Sequence, residues 1–475
     1  MIKNPIKFGT DGWRAVIAEE FTFDNVRICA QGLSDYLKQT RLADSGLVIG
    51  YDTRFASEDF AAATAEVAAG NGIKVYLSPR SAPTQVVSYG VVTKKAGGAV
   101  IITASHNPAK YNGFKIKSPD GSSAAPEVVA EVEKNIARTF DDRKINRLPL
   151  PEAIKKGLVE YFDLEPPYLA QIARLIDLDK IKQARLKVLV DSMYGAGAGY
   201  FKTLLGGGAM EIIEINSERN PAFPGINPEP IAVNLKKLSA RVKEERACIG
   251  LATDGDADRI GVVDENGNFL TQLQVYALLA LYLLETKGER GAIIKTITTT
   301  TMLYRLGELF KVPVIETPVG FKYVAPLMMA ENALIGGEES GGYGFRGHVP
   351  ERDAILAGLY FLDFVVRTGK TPAQLLDYLY SKVGPHFYER IDTKFSEDQH
   401  QTVIRRIQQT KADSILGVKV AKVDTVDGFR FTLVDGTWLL IRFSGTEPVM
   451  RIYAESDSLD RVHKLLEYGR QMAGV

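Results

Sequence analysis

Cysteine is scarce in this sequence, which has only Cys29 and Cys248 among its 475 residues. Two thiols so far apart exclude a disulfide framework and a cysteine metal site, and they fit a reduced, cytoplasmic setting. Long apolar runs are also missing. The longest, from Val275 to Leu284, is too short to cross a bilayer and predicts a core helix. The first residues lack the apolar stretch of a secretory signal peptide.

Net charge is absent as well, because 58 Lys and Arg residues balance 58 Asp and Glu residues. A neutral chain has no bulk attraction to nucleic acid or to an anionic membrane, so we expect neither as a partner. Any bound anion must then be held by local clusters of cations. The composition, 45% hydrophobic and 24% charged, is typical of globular proteins. The length exceeds what one hydrophobic core supports and predicts three or four domains.

A pattern of apolar strands ending in polar loops repeats three times along the chain. In each round the third strand runs into a loop rich in glycine and in acidic or hydroxyl residues. These loops lie at residues 103–108, 254–259 and 336–342. Open α/β sheets place their chemistry at the carboxyl ends of their strands. The repetition therefore predicts three related α/β domains that each give one loop to a shared site.

The last hundred residues follow a different pattern. Gly384 and Pro385 come after a helix-like segment and predict a hinge, and the elements beyond them predict a smaller α+β domain. We therefore expect an α/β fold of three successive similar domains, with mixed and mostly parallel sheets, plus a smaller C-terminal α+β domain. The predicted domain limits are residues 1–150, 151–266, 267–383 and 384–475.

The first loop carries a hydroxyl beside an imidazole. The apolar run ending at Ile102 predicts a buried strand, and Pro108 ends the turn that carries Ser105 and His106. Residues adjacent in sequence need not bring an imidazole into contact with a hydroxyl. His106 could therefore act as a base or serve a structural role. Lys115 follows Ser105 by ten residues, so the chain can bring it back to the same site. The alternative is a solvated lysine on the surface. A Gly-x-Ser-x-Gly elbow and a P-loop are both absent.

The second loop carries three alternating aspartates, Asp254, Asp256 and Asp258. In an extended segment, alternate side chains share one face. Three crowded carboxylates repel one another unless a cation lies among them, and hard oxygen ligands suit Mg²⁺. An EF-hand is excluded because Arg259 takes the position where that loop needs glycine. A solvated acidic turn remains the alternative.

Two later segments carry groups suited to a sugar phosphate. Glu338 and Ser340 lie in a loop framed by glycines, and a carboxylate beside a hydroxyl suits recognition of neighbouring sugar hydroxyls. A flexible surface loop is the alternative. A further segment offers a guanidinium fork, hydroxyls and backbone N–H groups at a glycine turn, which are the parts of a phosphate cradle, although a plain β-turn fits equally well. Its candidate ligands are Arg442, Ser444, Gly445 and Thr446.

Together these segments resemble the α-D-phosphohexomutase superfamily of phosphoglucomutases and phosphomannomutases. The resemblance rests on residues 103–108, 254–259, 337–342 and 442–448, in that order, and spans essentially the whole chain. It implies four domains around a central cleft and an isomerase that interconverts hexose 1-phosphate and hexose 6-phosphate through a phosphoserine and a 1,6-bisphosphate. Glucose is the expected sugar. The alternatives are a phosphomannomutase and a dual phosphomannomutase/phosphoglucomutase.

The resemblance also implies roles for single residues. Ser105 would carry the phosphoryl group, and its phosphate with the three aspartates would hold one Mg²⁺. The implied catalytic residues are Ser105, His106, Lys115, Arg14 and Arg259. The implied substrate-binding residues are Glu338, Ser340, Gly320, Lys322, Arg442, Ser444, Gly445, Thr446 and Arg451. Catalytic glucose 1,6-bisphosphate is the expected activator, small-molecule hexose phosphates are the expected partners, and the expected oligomeric state is a monomer or homodimer.

Two positions bear on the choice of sugar. Family members that act on both glucose and mannose phosphates often have histidine two residues after the sugar-loop serine, where this chain has Gly342. Glucosamine mutases usually begin the serine motif with serine, where this chain has Thr103. Two rival functions are an aspartyl-phosphate enzyme built on Asp254 and Asp256, and a non-catalytic sugar-phosphate sensor. Asp258 stands where the aspartyl-phosphate enzymes have Thr or Val.

Overall fold

The computed structural model of this chain describes residues 4–394, 400–410, 412–443 and 449–474. Its strands are β1 Trp13–Val16, β2 Leu47–Tyr51, β3 Val75–Leu77, β4 Ala99–Ile102, β5 Tyr111–Lys117, β6 Val159–Tyr161, β7 Lys187–Asp191, β8 Glu211–Ile215, β9 Ile249–Thr253, β10 Ile260–Val263, β11 Phe269–Leu270, β12 Ile293–Thr296, β13 Val314–Thr317, β14 Ile335–Gly337, β15 Tyr343–Phe345, β16 Phe387–Lys394, β17 Ser414–Ile415, β18 Val418–Asp424, β19 Phe429–Leu433, β20 Trp438–Phe443 and β21 Val449–Ser456. Its helices are α1 Phe23–Gln39, α2 Ser57–Gly70, α3 Thr84–Lys94, α4 Pro126–Asp142, α5 Leu150–Lys155, α6 Glu165–Leu175, α7 Leu178–Lys182, α8 Tyr200–Leu205, α9 Lys236–Glu244, α10 Gln272–Leu281, α11 Met302–Phe310, α12 Phe321–Ala330, α13 Ala354–Thr368, α14 Pro372–Val383, α15 His400–Gln409 and α16 Leu459–Ala473.

One four-stranded unit recurs in the first three sheets. Its strand order is β5-β4-β2-β3 in the first sheet, β10-β9-β7-β8 in the second and β15-β14-β12-β13 in the third. When the four strands of a unit are numbered in chain order, the first three are parallel to one another, and the fourth runs antiparallel to the third. The loop between the third and fourth strands therefore leaves every sheet at the same place. The expectation of three similar domains with mixed sheets is confirmed.

The first sheet is extended at both edges. Strand β1 pairs antiparallel with β5, and β6 pairs parallel with β3. Strand β6 spans Val159–Tyr161 and so lies beyond the limit predicted at residue 150. We propose to move that limit to a point after β6, and we keep the other predicted limits as proposals.

The fourth sheet is antiparallel and has the strand order β16-β21-β20-β19-β18-β17. Apolar side chains on one face pack against α15 and α16, and the fully buried ones include Leu439 and Ile452 of the sheet and Leu465 of α16. The other face carries the buried side chains of Trp438, Leu440 and Tyr453, which cluster with Ile297 of the third domain. The predicted smaller C-terminal α+β domain is confirmed.

The first three domains share a continuous apolar core, to which α3, α6, α10 and α13 contribute. The apolar run predicted as a core helix forms most of α10 and the π-helical turn after it, and its residues are all buried. Thr271 caps this helix through a reciprocal pair of hydrogen bonds with Gln274. Within the described part of the chain, none of the helices combines the length and apolar character needed to span a bilayer.

Candidate active site

The three loops that follow β4, β9 and β14 meet in the structure. We name them the serine loop (residues 103–110), the aspartate loop (residues 254–259) and the glutamate loop (residues 338–342). The Ser105 hydroxyl donates a 2.8 Å hydrogen bond to Asp254 Oδ2. The N–H of Ile260, which directly follows the aspartate loop, donates to the Gly341 carbonyl at 3.0 Å. Equivalent loops of three domains therefore meet at one place.

Ser105 is held in an uncommon backbone conformation. Its φ is +52°, which costs a residue with a Cβ atom about 1 kcal/mol or more. The Thr103 hydroxyl accepts a 2.9 Å hydrogen bond from the Ser105 N–H and supports this turn. The side chain is almost fully buried at 1% exposure, and His106 Nδ1 lies 3.4 Å from its Oγ. The turn therefore aims the hydroxyl at the aspartate loop rather than at open solvent.

Arg54 binds the backbone of the serine loop through hydrogen bonds, a role that the sequence did not reveal. It donates to the backbone carbonyls of Ser105 and Asn107, both at 2.6 Å, and to those of Pro108 and Tyr111, both at 3.0 Å. Its Nε lies 3.2 Å from the carboxylate of Asp52, which is also fully buried. A rigid guanidinium fork suits a set of convergent carbonyls. The only indication of this role in the sequence is the position of Arg54 just after the carboxyl end of β2.

The three aspartates converge, but not in the way that the sequence suggested. Residues 254–259 form a turn rather than an extended segment, and Ala257 has a φ of +57°. The turn forms because Asp254 Oδ1 accepts the N–H groups of Asp258 and Arg259 at 2.9 and 3.1 Å. One oxygen of each aspartate lies within 4.8 Å of the others, and all three side chains are buried.

The free oxygens of this triad fit a hard divalent cation. Asp256 Oδ1 and Asp258 Oδ1 are buried and have no hydrogen-bond partner among the described residues. Burial and the charges of Asp256 and Asp258 hold the pKa of Asp254 well above its usual value. Leaving carboxylate oxygens unpaired in the interior is costly, and a bound cation removes that cost. Residues Asp254, Asp256 and Asp258 would therefore hold Mg²⁺, which prefers oxygen ligands.

Lys115 connects the aspartate loop to the N-terminal turn. Its ammonium lies 2.8 Å from Asp256 Oδ2, 3.4 Å from Asp258 Oδ2 and 2.8 Å from Asp11 Oδ2. Burial alone lowers the pKa of this ammonium, but the three carboxylates outweigh burial and raise the pKa above that of an ordinary lysine. Lys115 is therefore a buried, charged cation beside the triad, supplied by β5 of the first domain.

Arg14, Arg259 and His106 complete the basic surroundings of Ser105. Arg14 donates a 2.7 Å hydrogen bond from Nη1 to Asn107 Oδ1 in the serine loop. Arg259 Nη1 lies 3.6 Å from Glu229 Oε1, and its Nε lies 3.9 Å from Asp258 Oδ1. Burial, together with the nearby charges of Arg259 and Arg14, holds the pKa of His106 well below its usual value. This shift favours the uncharged imidazole, and the positive potential comes from the two arginines and Lys115.

Arg352 joins the aspartate and glutamate loops, and the sequence did not single it out. Its Nη2 lies 2.8 Å from both Asp11 Oδ2 and Asp258 Oδ2, and its Nη1 lies 3.4 Å from Glu338 Oε2. Its Nε contacts Glu351 at 3.1 Å, and Glu351 forms a buried ion pair with Lys117. The contact between Arg352 and Asp11 spans 341 residues of sequence, so no local pattern points to it.

The glutamate loop presents a carboxylate and a hydroxyl, as predicted. Glu338 is 7% exposed, and burial holds its pKa above the usual value. The Ser340 Oγ is buried and has no hydrogen-bond partner among the described residues. A buried hydroxyl without a partner is rare in a settled protein interior and is available to a ligand. The nearby Gly342 is tightly packed, because a Cβ there would lie 2.4 Å from Arg352 Cδ.

Gly320 and Lys322 lie where β13 leads into α12. Gly320 has a φ of +130°, and a Cβ there would approach the Thr10 side chain to 3.0 Å. Lys322 lines a cavity of about 140 Å³ between the first and third domains, together with Asp11 and Ser123. Lys322 thus lies beside the N-terminal turn that carries Asp11.

The C-terminal domain brings Arg442 toward this loop. Asp427 accepts from Arg442 Nε at 2.9 Å through Oδ1 and from the Val319 N–H at 2.9 Å through Oδ2. Arg451 Nε lies 3.4 Å from Asp392 Oδ2. The predicted ligands Ser444, Gly445 and Thr446 lie outside the described residues.

Known proteins match this chain along its length. The four phosphoglucomutase/phosphomannomutase domain families match in order: domain I over residues 5–143, domain II over 166–267, domain III over 272–383 and the C-terminal domain over 398–469. A phosphoglucomutase/phosphomannomutase of Thermococcus kodakarensis is 32% identical over 463 residues, 97% of each chain. A Methanothermobacter thermautotrophicus protein, provisionally named a phosphoglucosamine mutase, is 30% identical over 470 residues, 98% of each chain.

Solved structures show the same fold. A crystal structure from Thermus thermophilus, provisionally named a phosphomannomutase, is 36% identical and has a TM-score of 0.86 over 100% of both chains. An N-acetylphosphoglucosamine mutase of Aspergillus fumigatus, solved with GlcNAc-6P and magnesium, shares the fold at 16% identity, with a TM-score of 0.59 over 100% of this chain and 97% of that one. The chain therefore belongs to the phosphoglucomutase/phosphomannomutase family of the α-D-phosphohexomutase superfamily and is an isomerase of the phosphohexomutase type.

Proposed function

We propose that this enzyme interconverts glucose 1-phosphate and glucose 6-phosphate, with Ser105 as the phosphoryl carrier. One observation carries the proposal: a buried serine hydroxyl lies 2.8 Å from a cation-ringed aspartate triad, two oxygens of which accept no hydrogen bond from the described residues. Phosphoryl transfer needs positioning and neutralisation of charge more than covalent chemistry by the protein. The buried triad, Lys115 and the two arginines provide both.

The proposed cycle transfers two phosphoryl groups. The phosphorus–oxygen bond at Ser105 breaks as a bond forms to a free sugar hydroxyl. The proton of that hydroxyl ends on the Ser105 oxygen, and glucose 1,6-bisphosphate results. After the bisphosphate turns around, its other phosphate returns to Ser105 and leaves the isomerised monophosphate. Mg²⁺, when held by Asp254, Asp256 and Asp258, supplies electrostatic stabilisation of the phosphate oxygens. Lys115, Arg14 and Arg259 neutralise the remaining charge, and neutral His106 lies beside the hydroxyl.

The other predicted site residues bind the part of the substrate that does not react. Glu338 and Ser340 accept from and donate to sugar hydroxyls, and the Ser340 Oγ has no hydrogen-bond partner within the described part of the chain. The second phosphate is bound by cations of the third and fourth domains. The proposed ligands for it are Gly320, Lys322, Arg442, Ser444, Gly445, Thr446 and Arg451.

Packing at Gly342 supports glucose as the preferred sugar. The histidine that dual-specificity members often carry at this position has no room, because a Cβ there would meet the stem of Arg352 at 2.4 Å. A phosphomannomutase or dual enzyme remains the alternative. The provisional names of several relatives favour a test of amino sugars as well. We also propose a cytoplasmic location, a monomer or homodimer, and glucose 1,6-bisphosphate as activator.

A coupled assay tests this proposal. The purified enzyme is supplied with Mg²⁺ and catalytic glucose 1,6-bisphosphate, and turnover of the 1-phosphates of glucose, mannose, glucosamine and N-acetylglucosamine is compared. We expect the highest kcat/KM with glucose 1-phosphate. A higher value for mannose or an amino sugar would reassign the substrate. Binding of all sugars without turnover would identify a sensor. If Ser105→Ala still forms a phosphoenzyme, an aspartate rather than the serine is the carrier.

A further inference from the structure

The aspartate loop of the second domain is held by helices of two other domains. The N–H of Thr84, the first residue of α3, donates to the Asp256 carbonyl at 2.9 Å. The N–H of Ala354, the first residue of α13, donates to the Ala257 carbonyl at 3.3 Å. Gln85 Nε2 also donates to the Ala257 carbonyl, at 2.9 Å. Two helix starts thus supply donors to the carbonyls of a strained turn.

Thr84 contacts the same aspartate a second time, through its side chain. Its hydroxyl donates a 2.7 Å hydrogen bond to Asp256 Oδ2, which Lys115 also contacts at 2.8 Å. The other oxygen, Asp256 Oδ1, is buried and has no hydrogen-bond partner among the described residues. Thr84 is itself fully buried. The carboxylate is therefore oriented, with one oxygen satisfied by protein donors and the other available.

Lys115 alone cannot provide this orientation. Its ammonium on a four-carbon stem is a flexible point charge that is shared among Asp11, Asp256 and Asp258. Thr84 has a short, β-branched side chain with few rotamers, and its own N–H is bonded to the backbone of the aspartate that it orients. A contact at both the backbone and the side chain defines the Asp256 rotamer better than a shared charge does.

We propose that Thr84 is a positioning residue for the metal ion, which orients Asp256 so that Oδ1 is presented to the cation. This inference rests on the proposed function, because it takes the aspartate triad to be the Mg²⁺ site. Partners of this kind that orient a metal ligand typically change metal affinity by about 10–100-fold. The site then depends on the docking of the first domain against the second, and not on the aspartate loop alone.

Mn²⁺ titration of the full-length enzyme tests the proposal, with free Mn²⁺ followed by electron paramagnetic resonance. Thr84→Val removes the hydroxyl and keeps the shape of the side chain, whereas Thr84→Ser keeps the hydroxyl. Thr93→Val is the matched control, because Thr93 lies at the other end of α3 and donates to the Tyr89 carbonyl. We expect Thr84→Val to raise the Kd for Mn²⁺ about tenfold, and Thr84→Ser and Thr93→Val to stay within about twofold of wild type.

The outcomes separate this proposal from the one it rests on. If wild type and Asp256→Asn bind Mn²⁺ equally, the triad is not the metal site and the proposed function loses its metal centre. If wild type binds at the triad and Thr84→Val binds equally well, the positioning role is wrong. Equal weakening by Thr84→Val and Thr84→Ser would also overturn it, since the hydroxyl would then be irrelevant. Should Thr84→Val fail to fold, Thr84→Ala removes the same hydroxyl without added bulk, and the same tenfold weakening is expected.

Discussion

The centre of the molecule and its C-terminal domain are joined to the rest of the chain by different kinds of contact. At the centre, the aspartate loop takes hydrogen bonds from the first and third domains, and those three domains share a continuous apolar core. The C-terminal domain is joined to the third domain by a charged cluster, by the bond from the Thr301 N–H to Glu455, and by a small apolar patch around Trp438.

These two kinds of contact indicate which part of the enzyme is rigid and which part can move. Separating the first three domains would break a large core, which is costly because buried apolar area dominates folding energy. Moving the C-terminal domain exposes a much smaller apolar patch and exchanges a few polar contacts for water. We therefore propose that the phosphoryl-transfer centre is preorganised, while the domain that carries Arg442 opens and closes over the substrate.

The largest effect is expected at the centre, on replacement of Arg54. Arg54→Met removes donors from three carbonyls of the serine loop and from the Tyr111 carbonyl, and it leaves the fully buried Asp52 carboxylate without its cation. Breaking a buried ion pair typically costs about 3–5 kcal/mol. We expect a loss of that size in the free energy of unfolding, measured by urea denaturation, and loss of turnover.

The double variant Asp52→Asn/Arg54→Met is the control for this prediction. It removes the orphaned charge, so it should recover part of the stability while turnover stays low, because the serine loop still lacks its donors. Recovery of full turnover in the double variant would show that Arg54 serves stability alone.

A smaller effect is expected at the junction with the C-terminal domain. Glu316 contacts Lys295 at 2.9 Å and Arg430 at 2.5 Å. Burial raises the pKa of Glu316, but Lys295 and Arg430 outweigh burial and lower the pKa from 4.5 to about 2. Because the folded-state pKa is depressed, its contribution of roughly 3 kcal/mol is fully present above pH 4.5 and is lost as pH falls through about 2.

Thermal unfolding of wild type and Glu316→Gln checks this prediction. The variant should melt at a lower temperature near neutral pH, because Lys295 and Arg430 lose their shared carboxylate. The gap between the two proteins should narrow as pH falls from 4.5 toward 2. A gap that stays constant over this range would contradict the assigned charge of Glu316.

The smallest effect on stability is expected at Ser340. Its buried hydroxyl has no partner among the described residues, so Ser340→Ala should leave the melting temperature unchanged. If this hydroxyl binds the sugar, the variant should raise KM about tenfold, since one hydrogen bond contributes about 1–1.5 kcal/mol. Ser381→Ala, which affects an exposed bond to the Tyr378 carbonyl, is the control. An unchanged KM together with a lower melting temperature would show that Ser340 stabilises the fold and does not bind the substrate.

The sequence predicted the parts of this fold that local patterns encode. Strands followed by glycine-rich polar loops are visible in one dimension, so the three loops and their equivalent positions in the three domains could be predicted. The triad could be predicted from its spacing, although the backbone there is a turn, because the N–H groups that Asp254 accepts bend the chain.

Contacts between domains could not be predicted in the same way. Thr84 and Asp256 are 172 residues apart, and Arg352 and Asp11 are 341 apart. Each of these residues is ordinary in its local context: a threonine at a helix start, an arginine after a glutamate, an aspartate in a turn. Their roles follow from the docking of whole domains, which depends on the shared apolar core rather than on any motif.

The most direct test of this account is the intact mass of the protein after incubation with Mg²⁺ and glucose 1,6-bisphosphate. We predict that wild type gains one phosphoryl group, that peptide mapping places it on Ser105, and that Ser105→Ala gains none while keeping its melting temperature. A phosphoryl group on any other residue, or equal phosphorylation of Ser105→Ala, would contradict the claim that this buried serine beside the aspartate triad carries the phosphate.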